Sequence, residues 1–256
     1  MGRIDNSPLI EAIFELQWGE RMPGHFEYER EETELLPGIF TQLAKEEGYS
    51  FAERLSDLAA PSIPYICKHR FRKATNKWPC FQLGMGIFTA NQIGAVSVDA
   101  GTNDEYDWDI FKLDIKKGLS IFDNSHPSGI SELISPLGQM RYQDGFILEH
   151  DETFEEFVSN KIKADIHLSK IFLNNQDISN NSSDLRMEFI YETTRPKGHI
   201  SISVFSAQIN GKRGVVIETK VASRLNGRHQ SVESLMEWAE EAHDLQRHSF
   251  KTLITG

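Results

Sequence analysis

The chain has 256 residues, enough for one large domain or two fused halves. At 39% hydrophobic and 25% charged residues it has the composition of a folded protein and not of a disordered one. A formal net charge of -11 disfavours non-specific nucleic-acid binding, which rests on Lys and Arg neutralising phosphates.

The N-terminal stretch has no basic region followed by an apolar run, so it does not read as a signal peptide. No window approaches ~18 uninterrupted apolar residues, so no membrane span is expected. Two cysteines without framework spacing, Cys67 and Cys80, suit a reducing compartment. Together these features predict a cytoplasmic protein.

Residues 9–18 alternate strictly. Ile10, Ala12, Phe14, Leu16 and Trp18 form one apolar face, and Glu11 and Glu15 fall on the other. This is a strand with its apolar side inside and its glutamates outside. Residues 27–36 read as an acidic helix that Pro37-Gly38 should break or kink, followed by a second piece over 39–47 that ends at Gly48. Residues 65–73 and 78–85 predict a hairpin around Thr75-Asn76-Lys77, with Cys67 facing Gly84 and Cys80 facing about Phe71. Gly84 and Gly86 suggest a bulge or bend before a strand over 87–93.

Residues 107–122 carry a helical apolar stripe behind Asp107, a good N-cap. Residues 124–129 read as a loop and 137–148 as a strand. A short helix over 153–162, a strand over 165–173 and an Asn/Ser-rich loop over 174–184 follow. Three strands come next, over 185–193, 199–209 and 214–222, with Asn210-Gly211 turning the last two. The last element is a long helix behind Ser231, with acidic residues crowding its first half and Arg247, His248 and Lys251 near its end. Residues 10–15 and 187–192 echo one another, which hints at duplication.

Several stretches in order resemble a sporadically distributed family of uncharacterised bacterial proteins of about this length. They are Pro8-Leu-Ile-Glu-Ala-Ile-Phe-Glu-Leu-Gln-Trp18, Phe81-Gln-Leu-Gly84 with Thr89-Ala-Asn91, Tyr106-Asp-Trp108-Asp-Ile-Phe111, Met140-Arg-Tyr-Gln143 and the tail from Ala242-His243 to Thr255. Gln143 departs from that family's pattern. The resemblance implies a bacterial cytosolic protein and carries over no catalytic residue. The sporadic distribution suggests an accessory of a defence or mobile-element system.

Linear signatures of catalysis are incomplete. Gly84-Met-Gly86 begins a phosphate-loop pattern whose third glycine is replaced by Thr89, and no Gly-x-Ser-x-Gly occurs. Cys67 with His69 offers a nucleophile and a base two residues apart on a strand. Glu240-x-x-His243 is a single copy of a spacing that builds metal sites only in pairs. Glu218-Thr-Lys220 matches the Glu-x-Lys of metal-dependent nucleases but lacks a carboxylate on the preceding strand.

Basic residues cluster twice. Lys68, Arg70 and Arg72 lie on the first hairpin, sharing one face. Residues 195–230 carry seven basic side chains, among them Arg195, Arg213, Arg224 and Arg228, against one acid, Glu218.

The expected fold is α+β: a mostly antiparallel sheet, or two related sheets, with helices packed on one face. Its halves cover residues 1–150 and 151–256, or form one continuous domain. The expected function is non-catalytic binding, with these basic residues receiving an acidic partner, a protein or a second copy of the chain, or, against the net charge, a nucleic acid. No catalytic residue, metal or cofactor is assigned. A nuclease using Glu218 and Lys220, and a sheet–helix cleft for a small apolar ligand, are the alternatives.

Overall fold

The computed structural model describes residues 8–57, 60–94, 106–164, 185–223 and 231–255. The strand predicted over 165–173, the loop over 174–184, and Arg224 and Arg228 lie outside the described residues.

Antiparallel strands dominate the fold, as the alternating segments require. In chain order they are β1 (Leu9–Gln17), β2 (Glu20–Met22), β3 (His25–Phe26), β4 (Phe51–Arg54), β5 (Cys67–Arg72), β6 (Cys80–Gly84), β7 (Ile87–Ile93), β8 (Leu137–Ile147), β9 (Arg186–Thr194), β10 (Lys197–Ile209) and β11 (Lys212–Ser223). The helices are α1 (Arg30–Glu46), α2 (Trp108–Ser125), α3 (Phe154–Phe157) and α4 (Val232–Thr255). Among the described residues, nine strands form one sheet in the order β4-β5-β6-β7-β1-β8-β11-β10-β9, every neighbouring pair antiparallel. The chain is therefore α+β.

The path runs twice through the same course. A strand (β1, then β8) leads into a helix. The chain then crosses to a sheet edge and meanders back beside that strand, as β4 to β7 and again as β9 to β11. A helix closes each passage. β1 and β8 pair at the centre, Phe14 opposite Met140. The counterpart of β1 is thus β8. The echo of residues 10–15 at 187–192 matches the central β1 to the edge strand β9, so it is not the trace of this repetition.

One face of the sheet carries the helices and the larger core. Ala12, Phe14, Leu16 and Trp18 of β1 pack with Phe40 of α1, Phe111, Ile115 and Phe122 of α2, and Leu235 and Trp238 of α4, all buried. A smaller cluster under β10 and β11 is closed by Phe154 and Phe157 of α3. Gln246 fastens α4 to the sheet, its amide donating to the Met140 and Thr219 carbonyls at 2.8 Å each.

Asp107 caps α2 as expected, accepting from the Ile110 amide at 3.1 Å, and Ser231 accepts from the Ser234 amide at 3.2 Å ahead of α4. Asn210 and Gly211 form the β10–β11 turn with φ of +51° and +74°, the conformation that favours this pair.

Five local expectations need correction or narrowing. Pro37 does not break α1. Glu32, Leu36, Phe40 and Ala44, spaced by four, are all buried, and that continuous stripe outweighs a proline's cost of roughly 3 kcal/mol. Of the bulge or bend expected at Gly84 and Gly86, the structure has the bend, as a tight turn. Met85 and Gly86 form a two-residue reversal between β6 and β7, with Gly86 at φ +68°. A register shift between Leu9 and Glu11 puts Leu9, in place of Ile10, in the main core. A second shift between Cys67 and His69 places Cys80 opposite Arg72, while Cys67 still faces Gly84. The segment after Trp18, read as loop, also contains the small β2–β3 ribbon.

Candidate functional site

The sheet face turned away from the helices is polar, and much of it is buried. Its side chains stand in registered rows. One row runs Glu11, Gln143, Glu218, Ser203, Glu188 across β1, β8, β11, β10 and β9. The next runs Arg72, Cys80, Asn91, Ile13, Arg141, Lys220, Ser201. A third runs Arg70, Gln82, Thr89, Glu15, Gln139. Thr89 and Asn91 are 5% exposed, Ser201 4% and Ser203 2%.

Cys67 lies on the same face, near the Thr89 side chain and the charges of Glu15, Arg70 and Arg141.

Glu11 and Glu15 therefore do not lie merely outside. Glu11 accepts from the Asn91 amide at 2.8 Å, and Asn91 accepts from the Thr89 hydroxyl at 2.6 Å. Glu15 accepts from Gln17 and, at 3.5 Å, from Gln139. Burial pushes both carboxyls above their usual range, against the lowering effect of the Asn91 hydrogen bond on Glu11 and of the Arg141 charge on Glu15. Arg141 stands between two carboxylates, 3.9 Å from Glu15 and 3.7 Å from Glu218. Gln143 donates to Glu218 at 2.8 Å.

The basic residues singled out from the sequence do not form one surface. Arg70 and Arg72 face Glu53 of β4 at 3.6 and 3.7 Å, and Arg72 also covers the Trp78 ring. Lys68 falls in the β5 bulge and donates to the Ala60 carbonyl at 2.7 Å, so it does not share the face of the two arginines. Arg195 pairs with Glu241 of α4 at 2.8 Å. Arg213 lies at the opposite end of the β10–β11 ribbon, roughly 40 Å away at the usual strand rise, and donates to the Glu152 carbonyl at 3.5 Å.

Cys67 and His69 are split by the same bulge. Cys67 is registered with Gly84 on the polar face, and His69 with Leu83 on the helix side, where it stacks on Phe71. Burial pushes both cysteine thiols up to about 12. Iodoacetamide labelling at pH 8 should accordingly be at least about tenfold slower in the native protein than in urea. Equal rates would mean that an accessible thiolate exists after all.

Glu240-x-x-His243 serves structure on the helix side. His243 stacks on Trp108 with centroids 4.0 Å apart, and its Nδ1 shares a 2.8 Å hydrogen bond with the Tyr142 hydroxyl. Glu240 accepts from Trp108 at 3.2 Å and from Lys112 at 2.8 Å. Among the described residues, no three His, Cys, Asp or Glu side chains converge to hold a metal ion. No helix of the described residues is long and apolar enough to cross a membrane.

Periodicity marks these polar positions but not their burial. Of the stretches that carry the family resemblance, Glu11, Glu15, Gln82, Thr89, Asn91 and Arg141 stand on this face, whereas Tyr142, His243 and Gln246 stand on the helix side. No protein-family model, no curated protein and no solved structure matches the chain.

Proposed function

We propose that the protein is a non-catalytic binding protein and that the buried polar face of the sheet holds a small, polar, zwitterionic ligand. The observation that carries this reading is the slack between Arg141 and its two carboxylates. A closed ion pair has N···O distances of about 2.7–2.9 Å. Here they are 3.7 and 3.9 Å, in a place where the carboxylates are mostly buried. Charges held apart in this way are preorganised for a guest. An anionic group would engage Arg141 and Lys220, and an N–H donor would engage Glu15 or Glu218. The amides of Gln139 and Gln143 would orient it.

Binding at the basic hairpins has less support, because Arg70, Arg72 and Arg195 already face carboxylates of the same chain. A metal-dependent nuclease at Glu218 and Lys220 has less support too. The guanidinium of Arg141 sits where a divalent cation would have to join Glu15 to Glu218. A place in defence or mobile-element systems rests on the family resemblance alone.

Native mass spectrometry of the gently purified protein should reveal a bound small molecule that is lost in a Glu218→Gln, Lys220→Ala variant. An adduct-free wild type, or equal occupancy in both proteins, contradicts the proposal. Magnesium- or manganese-dependent cleavage of DNA or RNA that disappears in Glu218→Gln would replace it with the nuclease.

A further inference from the structure

The geometry points to Phe26, Tyr28 and Tyr65 as an aromatic corner that binds a methylated ammonium group beside the Glu20 carboxylate. This site is separate from the polar face, because β2 and β3 form a ribbon outside the nine-stranded sheet. Glu20 and Phe26 are direct partners in that ribbon, so their side chains share a face. Phe26 and Tyr28 hold their rings 5° from parallel, with centroids 6.4 Å apart. Tyr65 comes from the segment ahead of β5 and stands at 85° to Phe26, with centroids 5.3 Å apart. Phe26 is 38% exposed and both tyrosines are half-buried.

The backbone makes room for these rings. Gly19 and Gly86 have φ of +95° and +68°. A Cβ on Gly19 would collide with the Tyr28 ring, and one on Gly86 with its hydroxyl. Tyr65 itself takes φ +65°, which is uncommon for a bulky residue, and its amide donates to the Met85 carbonyl at 2.9 Å. Such a conformation persists where the surrounding structure over-determines it.

An aromatic face attracts a cation within about 6 Å of its centroid. Among the described residues, no cation of the chain lies over these three rings. Arg21, Arg30 and Lys68, the nearest in sequence, are bonded to Glu27, Glu34 and the Ala60 carbonyl. The surrounding charge is negative, since residues 20–34 carry six glutamates against two arginines. Glu20 lies close to both phenols. Burial and then its charge push the Tyr65 hydroxyl up to about 12, and burial with the charges of Tyr65, Glu32 and Glu20 raises Tyr28. Hydrogen bonding selects the class of cation. A primary ammonium brings three N–H donors that need acceptors. Here one Glu20 oxygen already accepts from the Gly24 amide at 2.9 Å, and the Tyr28 hydroxyl is buried against Gly86. A methylated ammonium spreads its charge over methyl groups and needs only the rings and one carboxylate.

Isothermal titration with choline chloride at constant ionic strength should give a Kd of about 1 mM. Its neutral isostere, with carbon in place of nitrogen, should bind at least about tenfold more weakly. Phe26→Ala and Glu20→Gln should each weaken choline binding about tenfold. The glutamine can still accept from Gly24, so the ribbon is kept. The Glu218→Gln, Lys220→Ala variant should bind choline as the wild type does. A trimethyllysine peptide that binds more tightly than choline would make the source a modified protein, and one that binds more weakly a free metabolite. No binding at about 50 mM choline overturns the inference. So does equal affinity for the neutral isostere, affinity indifferent to both corner variants, or loss of binding in the polar-face variant. If Phe26→Ala unfolds, Glu20→Gln and the isostere still decide the matter.

Discussion

Asp144→Asn is expected to stabilise the fold at pH 8 by up to about 4 kcal/mol, and to leave it no more stable than the wild type at pH 4. Asp144 is 6% exposed on the helix side of β8, and burial raises its carboxyl from 3.8 to about 7. Between those two values the folded state holds a proton that the unfolded chain has released. The neutral acid's contribution is complete below pH 3.8 and is lost as the pH rises through about 7. Glu11 and Glu15 are shifted in the same direction.

His243 has the opposite sign. Burial lowers its imidazole from 6.5 to about 4, so stability is lost as the pH falls from 6.5 toward 4. The wild type should therefore gain stability from pH 8 to about 6.5 and level off below, where the two groups offset one another. Asp144→Asn should lack the gain and decline below 6.5. Thermal melts across pH 4–8 check this. A variant that follows the wild-type profile between pH 8 and 6.5 would show that Asp144 is ionised without cost.

Arg141→Gln should destabilise the protein by about 2 kcal/mol at pH 8. Breaking a buried ion pair typically costs 3–5 kcal/mol, and the figure is discounted because Arg141 is 34% exposed while Glu15 and Glu218 are 13% and 17% exposed. The effect arises from uncompensated carboxylates, so it should shrink as the pH is lowered and Glu15 takes up its proton. Adding Glu15→Gln should recover part of the loss even at pH 8. Urea unfolding of the single and double variants separates this from packing damage, which neither acid nor the second substitution would relieve. The proposed ligand should also bind Arg141→Gln more weakly, since the guanidinium is its principal cation.

The elements themselves were largely legible in the sequence. Asn210-Gly211, Asp107 and Ser231 carry local chemistry that fixes a turn and two helix starts whatever the tertiary context. Alternation along β1 located a strand with a buried apolar side. It could not reveal that the other side is also largely buried, because a polar side chain looks the same in sequence whether it meets water or its neighbours on the sheet. Glu11 and Glu15 were misplaced for that reason. Bulges at Leu9/Glu11 and Cys67/His69 reverse the parity on which face assignments depend. Pro37 shows local propensity giving way to a buried stripe. The basic residues were counted without their partners, Glu53 and Glu241, which lie far from some of them in the chain.

The central place of β1 has a consequence for synthesis. Its bond from Asn91 spans 80 residues and its bond from Gln139 spans 124. The second strand that flanks it does not yet exist when it leaves the ribosome. At about 10 residues per second, β1 waits on the order of ten seconds for β8. During that time Phe14 and Leu16 have no complete sheet to cover them. The nascent chain is then a candidate for chaperone capture, and slowing elongation between α2 and β8 should lower the yield of soluble protein.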